Sequence, residues 1–207
     1  MNRESPGRTP AFDSGRPSGN REKILATALR LFTLQGVDAT PTAQISREAK
    51  VSTGTLFHYF PDKSSLVDQV YLSIKKELVG MVRSSDDATY PTQERIERFL
   101  RGYIAWGVAN PEKVRFLDQF YNSPSLGDEV KRQVQDECAW MLELSAAAVR
   151  EGILPDLPLE FHAVMISRII NGILTLIESQ NTGMSQEEII EHGLAMLWRQ
   201  RLPAPSP

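Results

Sequence analysis

The sequence predicts an all-α protein of about nine helices, and three observations carry that prediction. Apolar residues recur every three or four positions from residue 20 to residue 201. The gaps between these stripes are helix stops: Gly36, Asn110-Pro111, Ser123-Pro124, Gly152 with Pro155 and Pro158, and Asn181 with Gly183. Alternating β-branched runs bounded by turns, the mark of strands, are absent.

Residues 1–19 hold three Pro, three Gly and three Ser, with Phe12 the only large apolar side chain after Met1. Such a segment cannot bury enough surface to offset its ordering entropy and is expected to be a disordered arm. Asn20 is placed as an N-cap for a helix whose stripe is Ile24, Leu25, Ala28, Leu31 and Phe32, closed by Gly36 in the left-handed conformation. Thr42 is expected to cap a short helix through Ala49, and Ser52 another from Thr53 to Tyr59. Asp62 caps a longer helix, to about residue 83, with Leu66, Val67, Val70, Tyr71 and Ile74 on one face. Beyond the polar break SSDDATYP, helices are expected at 92–109, 111–122, 126–151, 158–180 and 185–201, then a frayed tail, 203–207. The division is a compact three-helix unit, 20–66, and a larger helical domain, 67–202.

At 207 residues, 24% charged and 41% hydrophobic, the composition is that of an ordinary globular protein. The lone Cys138 excludes an intrachain disulfide framework and a multi-cysteine zinc cluster, and it reads as a buried structural thiol. No run approaches the ~18 consecutive apolar residues of a membrane span, and the N-terminus lacks a secretory hydrophobic stretch, so no membrane contact and a cytoplasmic location are expected. The net charge of −3 argues against nucleic acid until it is divided. Through Lys63 there are nine Lys/Arg against six Asp/Glu, or +3; the remainder is −6. Sign separation of this kind points to a nucleic-acid or membrane contact at the basic end.

The segment TAQISREAKVSTGTLFHYF, 42–60, carries the chemistry. Two helices of about eight residues, joined by the tight turn Lys50-Val51-Ser52, have Ile45, Ala49, Val51 and Leu56 spaced to pack across each other as a helix-turn-helix. In that motif the second helix enters the major groove with its N-terminal residues on the base edges. Thr53 and Thr55 offer hydroxyls for phosphate or base and methyls for thymine. Gly54 removes a side chain where backbone approaches phosphate, Phe57, His58 and Tyr59 follow, and Lys63 opens the next helix. Short amphipathic helix pairs are also common in all-α proteins. On that plainer reading Phe60 is core, Phe57 partly so, and Gly54 a packing gap.

Residues 20–71 resemble the DNA-binding domain of the tetracycline-repressor (TetR) family of one-component bacterial regulators. The match rests on Ala28, Leu31-Phe32 and Gly36 in the first helix. It continues through the Thr-led second helix from Thr42, Val51-Ser52, Gly54-Thr55-Leu56-Phe57-His58-Tyr59-Phe60, and Lys63 with Leu66. The resemblance implies phosphate contacts from Thr42, Tyr59 and Lys63, and base or near-base contacts from Gln44, Thr53, Thr55 and His58. It places Gly54 and Phe57 near the DNA backbone. Phe57 departs from the usual Tyr, Lys50 from a common Gly and Ser46 from a usual Ala. A left-handed Lys50 would cost on the order of 1 kcal/mol relative to Gly. Arg47 and the arm residues Arg3, Arg8 and Arg16 read first as solvated charges.

The resemblance also implies a pseudo-palindromic operator, a dimer, and release of DNA by a small-molecule effector in the helical domain. The expected pocket comprises Phe99, Tyr103, Trp106, Phe116, Phe120, Trp140, Met141 and Met165, each of which reads equally as core. His162 and Asn171 read as satisfied buried groups, and Arg168 as paired to an acid at the dimer seam or to an anionic ligand. Helix 158–180 is nearly apolar all round, with Gly172 in its middle, so a homodimer through the last two helices is expected. No catalytic residue, cofactor or metal is expected. G-x-x-x-x-G-K-[ST], H-E-x-x-H and G-x-S-x-G are absent, and His58, His162 and His192 lie far apart. The remaining alternative is a helical ligand-binding or dimerisation module without DNA binding.

Overall fold

The computed structural model describes residues 19–120 and 125–198, which form nine α-helices and no strand. The helices are α1 (Asn20–Gln35), α2 (Thr42–Glu48), α3 (Thr53–Tyr59), α4 (Lys63–Ser84), α5 (Thr92–Ala109), α6 (Pro111–Phe120), α7 (Asp128–Arg150), α8 (Leu159–Ser179) and α9 (Gln186–Trp198). The expected arm, apart from Gly19, the last residues of the sixth and ninth predicted helices, and the tail lie outside the described residues.

Side-chain caps set the starts of α3 and α4. Ser52 accepts from the Thr55 backbone N–H, and Asp62 forms a reciprocal capping box with Ser65. Two expected caps are instead the first helical residues: Gly19 precedes Asn20 and Pro41 precedes Thr42, neither with a side-chain cap. A proline before the first turn fixes the entry by its restricted φ alone. Gly36 has φ 84° and ψ 156°, so it ends α1 at positive φ but outside the left-handed helical region, in space that is essentially glycine's alone. The stop after α8 is Gln180, left-handed at φ 51°, rather than Asn181 or Gly183.

Every residue of the α1 stripe is buried, and Ile45, Ala49, Leu56 and Phe60 close beneath it to hold α2 and α3. That core does not stop at residue 66. It continues along α4 through Leu66, Val70, Ile74 and Val82, and takes in Phe116, Leu117 and Phe120 of α6. A second core joins α5, α7, α8 and α9 through Leu100, Ile104, Ala148, Ile170, Ile173 and Leu194. Phe99, Tyr103, Val114 and Trp140 pack against both. The long helix α4 touches α1 on one side and α5, α6 and α7 on the other, so it is the rod common to both halves.

By length and composition α8 suffices to cross a membrane, a property hidden by the absence of an unbroken apolar run. It nevertheless carries Glu160, His162, Arg168 and Glu178 and packs against α5, α7 and α9. Its buried face is narrow, and Phe161, Met165 and Leu176 are exposed.

Candidate nucleic-acid interface and ligand cavity

Helix α3 buries only Leu56 and turns the rest of its length outward. Thr53, Gly54, His58 and Tyr59 are exposed, and Phe57 is 42% exposed, so Phe57 is less a core residue than expected. Phe60, at 1%, anchors the helix end, with the Arg21 guanidinium 5.8 Å from its ring centroid. The His58 and Tyr59 rings meet edge to face at 5.4 Å. A β-carbon on Gly54 would meet nothing of the chain nearer than Ser52 Oγ at 3.8 Å, so packing does not require glycine there.

The turn into α3 is tightly held. Lys50 adopts φ 58°, and the Val51 N–H returns to the Ser46 carbonyl at 3.0 Å. The hydroxyls proposed to face DNA already have partners: Thr55 Oγ1 with Ser52 Oγ at 2.8 Å, and Thr53 Oγ1 with Ser46 Oγ at 3.3 Å. Ser46 is buried and also donates to the Ala43 carbonyl at 3.1 Å. It is therefore a positioning residue for Thr53, which an alanine in its place could not be. The signal was present as an uncommon serine on the packed face of α2.

Gln44 sits in a polar web joining α1 to α2. It accepts from Gln35 Nε2 at 3.0 Å and donates to Glu48 Oε1 at 3.0 Å, while Arg30 pairs with the same Glu48. The Gln44 amide, then the Arg30 guanidinium, holds the Glu48 carboxyl below the usual range. Thr40, fully buried, donates to the Gly36 carbonyl at 2.7 Å and accepts from Gln35 at 3.2 Å. Thr42 is partly buried at the start of α2. Lys63 Nζ donates to the Asp38 carbonyl at 3.2 Å, which tethers the α1–α2 loop to α4 at the edge of the three-helix reader unit, 20–66. Arg47 and Lys50 are exposed nearby.

A cavity of about 310 Å³ lies among α4, α5, α7 and α8. Of the eight expected pocket residues, Phe99, Tyr103 and Met141 line it. The other five lie elsewhere. Trp106 is buried in the first core and donates to Glu77 at 3.0 Å. Phe116 and Phe120 join α6 to the reader, and Trp140 stands behind Phe99, ring centroids 5.8 Å apart. Met165, at 37%, faces outward from α8. A helical stripe states that a residue is covered, and the covering element is a long-range fact.

Lys75, Gln135, Cys138, Ser145 and Ser167, unremarked as pocket residues, supply the cavity's polar groups. Cys138 is only partly buried and lines the space rather than sitting in the core. Burial pushes its thiol pKa up against the pull of the Lys75 ammonium, and burial pushes the Lys75 ammonium pKa down. His162 is buried and satisfied, its Nε2 3.0 Å from the Pro155 carbonyl. Arg168 and Asn171 both donate to Asp118 of α6 at 2.9 Å, so Arg168 pairs with an acid of its own chain. Among the described residues no group of three or more His, Cys, Asp or Glu is arranged to hold a metal ion.

Residues 24–70 match the family "Bacterial regulatory proteins, tetR family". The chain is 37% identical over 83 residues to an HTH-type transcriptional regulator of Bacillus subtilis (strain 168), YxaF, covering 40% of this chain and 44% of that one. It is 35% identical over 74 residues to the HTH-type transcriptional repressor KstR2 of Rhodococcus jostii (strain RHA1), covering 36% of each. The chain thus matches less than half the length of these curated relatives. The likeness to the crystal structure of a tetR-family transcription regulator from Shewanella sp. PV-4 is longer. The TM-score is 0.80 at 29% identity, covering 87% of this chain and 96% of that one.

Proposed function

We propose, from the match of residues 24–70 to the tetR family of bacterial regulatory proteins and the likeness to the Shewanella structure, that the chain is a TetR-family one-component repressor released from its operator by a small molecule. The observation that carries the reading is the outward face of α3, where Thr53, His58 and Tyr59 stand free of the core on a base clamped by Ser46, Ser52 and Phe60. A short helix so presented suits the major groove, with Gln44, Thr53, Thr55 and His58 toward base edges and Thr42, Tyr59 and Lys63 toward the backbone. Gly54 and the exposed Phe57 leave room for close approach. The repressor role is supported by the name of the Rhodococcus relative.

A pseudo-palindromic site requires two copies. The exposed apolar side chains Phe161, Met165 and Leu176 share one face of α8 with the open Gly172, and Met196 of α9 is 65% exposed. An uncovered apolar face of this kind supports a homodimer through the last two helices. Release follows from α4. Lys63 begins it and Lys75 lies twelve positions on, roughly 18 Å along one rigid rod. A ligand favouring the α4 setting that misaligns two readers shifts the population away from DNA. A bacterial operator places the protein in the cytoplasm.

The test is binding of the purified protein to duplexes from its own upstream region, titrated with salt, with the oligomeric state measured by sedimentation. A dimer whose affinity falls steeply with salt supports the reading. A folded dimer that binds no duplex at low salt overturns it.

A further inference from the structure

We propose that the cavity among α4, α5, α7 and α8 takes an amphipathic carboxylate, its carboxylate against the Lys75 ammonium and its apolar body between Phe99, Tyr103, Ile166 and Ile170. This assignment rests on the reading of the helical body as the sensor and names its ligand class.

Charge pairing around α4 makes the case. Neighbouring acids are committed to other cations: Glu77 accepts from Lys113 at 2.5 and 2.7 Å and from Trp106, and Glu137 pairs with Lys76 at 3.7 Å. Lys75 forms no ion pair with any described residue. The nearest compensation is the Tyr71 ring, whose centroid lies 5.8 Å from Nζ, the edge of cation–π reach. Burial raises the Cys138 thiol pKa, which disfavours the thiolate as a counter-charge. A cation held beside an apolar cavity without an anion is costly, and a ligand carboxylate offsets that cost where a neutral or cationic ligand does not. The rest of the lining is chiefly aliphatic and aromatic, with Gln135, Ser145 and Ser167 as added hydrogen-bonding groups. At about 310 Å³ the space lies near the lower bound of small-molecule sites, ~300–1,000 Å³, which suits a single acyl or arylalkyl chain.

The experiment is calorimetric titration of the full chain with three probes of equal length: decanoate, decanol and decyltrimethylammonium. Decanoate is expected to bind about tenfold or more tightly than decanol, with the ammonium probe weakest. Lys75→Met is expected to abolish the preference for decanoate while retaining decanol binding, and Lys75→Arg to keep it in part. Thermal melting checks that each variant is folded. Equal affinity for decanoate and decanol, undiminished decanoate binding by a folded Lys75→Met protein, or no binding of any probe overturns the assignment. These titrations contain no DNA. Lys75-dependent binding of decanoate that leaves duplex affinity unchanged sinks the release mechanism alone, and absence of duplex binding sinks the regulator reading alone.

Discussion

The ring of Phe32, the last apolar residue of the α1 stripe, stacks on Phe116 of α6 with centroids 6.2 Å apart and an 18° interplanar angle. Phe116 in turn lies 4.9 Å from Phe120, and all three are buried. The contact welds the reader to the helical body within one hydrophobic core. Phe116→Ala is expected to cost about 3–5 kcal/mol in thermal or denaturant unfolding. Hydrogen exchange should quicken in α1 as well as α6. Faster exchange confined to α6 would contradict the coupling.

Gly54→Ala separates folding from binding. The added methyl meets only Ser52 Oγ at ordinary contact distance, and alanine is the better helix former by about 1 kcal/mol. Stability is expected to hold or rise, while duplex affinity by fluorescence anisotropy falls. Unchanged affinity would remove Gly54 from the interface.

Lys63 and the threonine–histidine face should behave differently. Lys63→Ala is expected to weaken binding to all duplexes alike and reduce the salt slope by about 1. Thr53→Ala or His58→Ala should change which bases are preferred, with a mismatch penalty altered by about 1–3 kcal/mol. Ser46→Ala, which removes the partner of Thr53 Oγ1, should blur preference at the Thr53 position without changing the salt slope.

Arg95 donates to both oxygens of Asp86, at 2.9 and 2.8 Å, tying the residue just past α4 to α5. The bidentate guanidinium holds the Asp86 carboxyl below its usual value in the folded state. A depressed folded pKa gives stability that is complete above the unfolded value, ~4, and lost as pH falls through the folded one. Asp86→Ala is therefore expected to cost on the order of 1–2 kcal/mol at neutral pH. The gap between the variant and the native protein in denaturant melts should close below about pH 4.

Met165→Glu or Leu176→Glu places a charge on the uncovered face of α8, 37% and 43% exposed in the single chain. Monomer stability should change by less than about 0.5 kcal/mol, while sedimentation shows the dimer dissociating. A persistent dimer would move the interface elsewhere.

Local chemistry was legible in the sequence. The stripes of α1 and α4, the caps Ser52 and Asp62, and the break at Asn110-Pro111 involve neighbours within a turn of helix, so their spacing alone fixes them. For the same reason the α2–turn–α3 unit was readable, and the burial of Phe60 with it. The caps at Asn20 and Thr42 were misplaced by one residue because Gly19 and Pro41 set the entry through backbone geometry, with no side-chain hydrogen bond to read.

What only the tertiary structure decided was which surface each stripe meets. Phe99 and Phe116 are equivalent as sequence, each a phenylalanine on an apolar helical face. One lines a cavity and the other cements α6 to α1 because of where distant helices cross. Lys75 makes the point for charge. In the sequence it is half of a Lys-Lys pair on a long helix, indistinguishable from Lys76. In the fold, Glu137 reaches Lys76 from sixty-one positions away, and Lys75 lines a cavity. Helical periodicity records the burial of a face. Partners are assigned by contacts far apart in the chain, whose terms no local window contains.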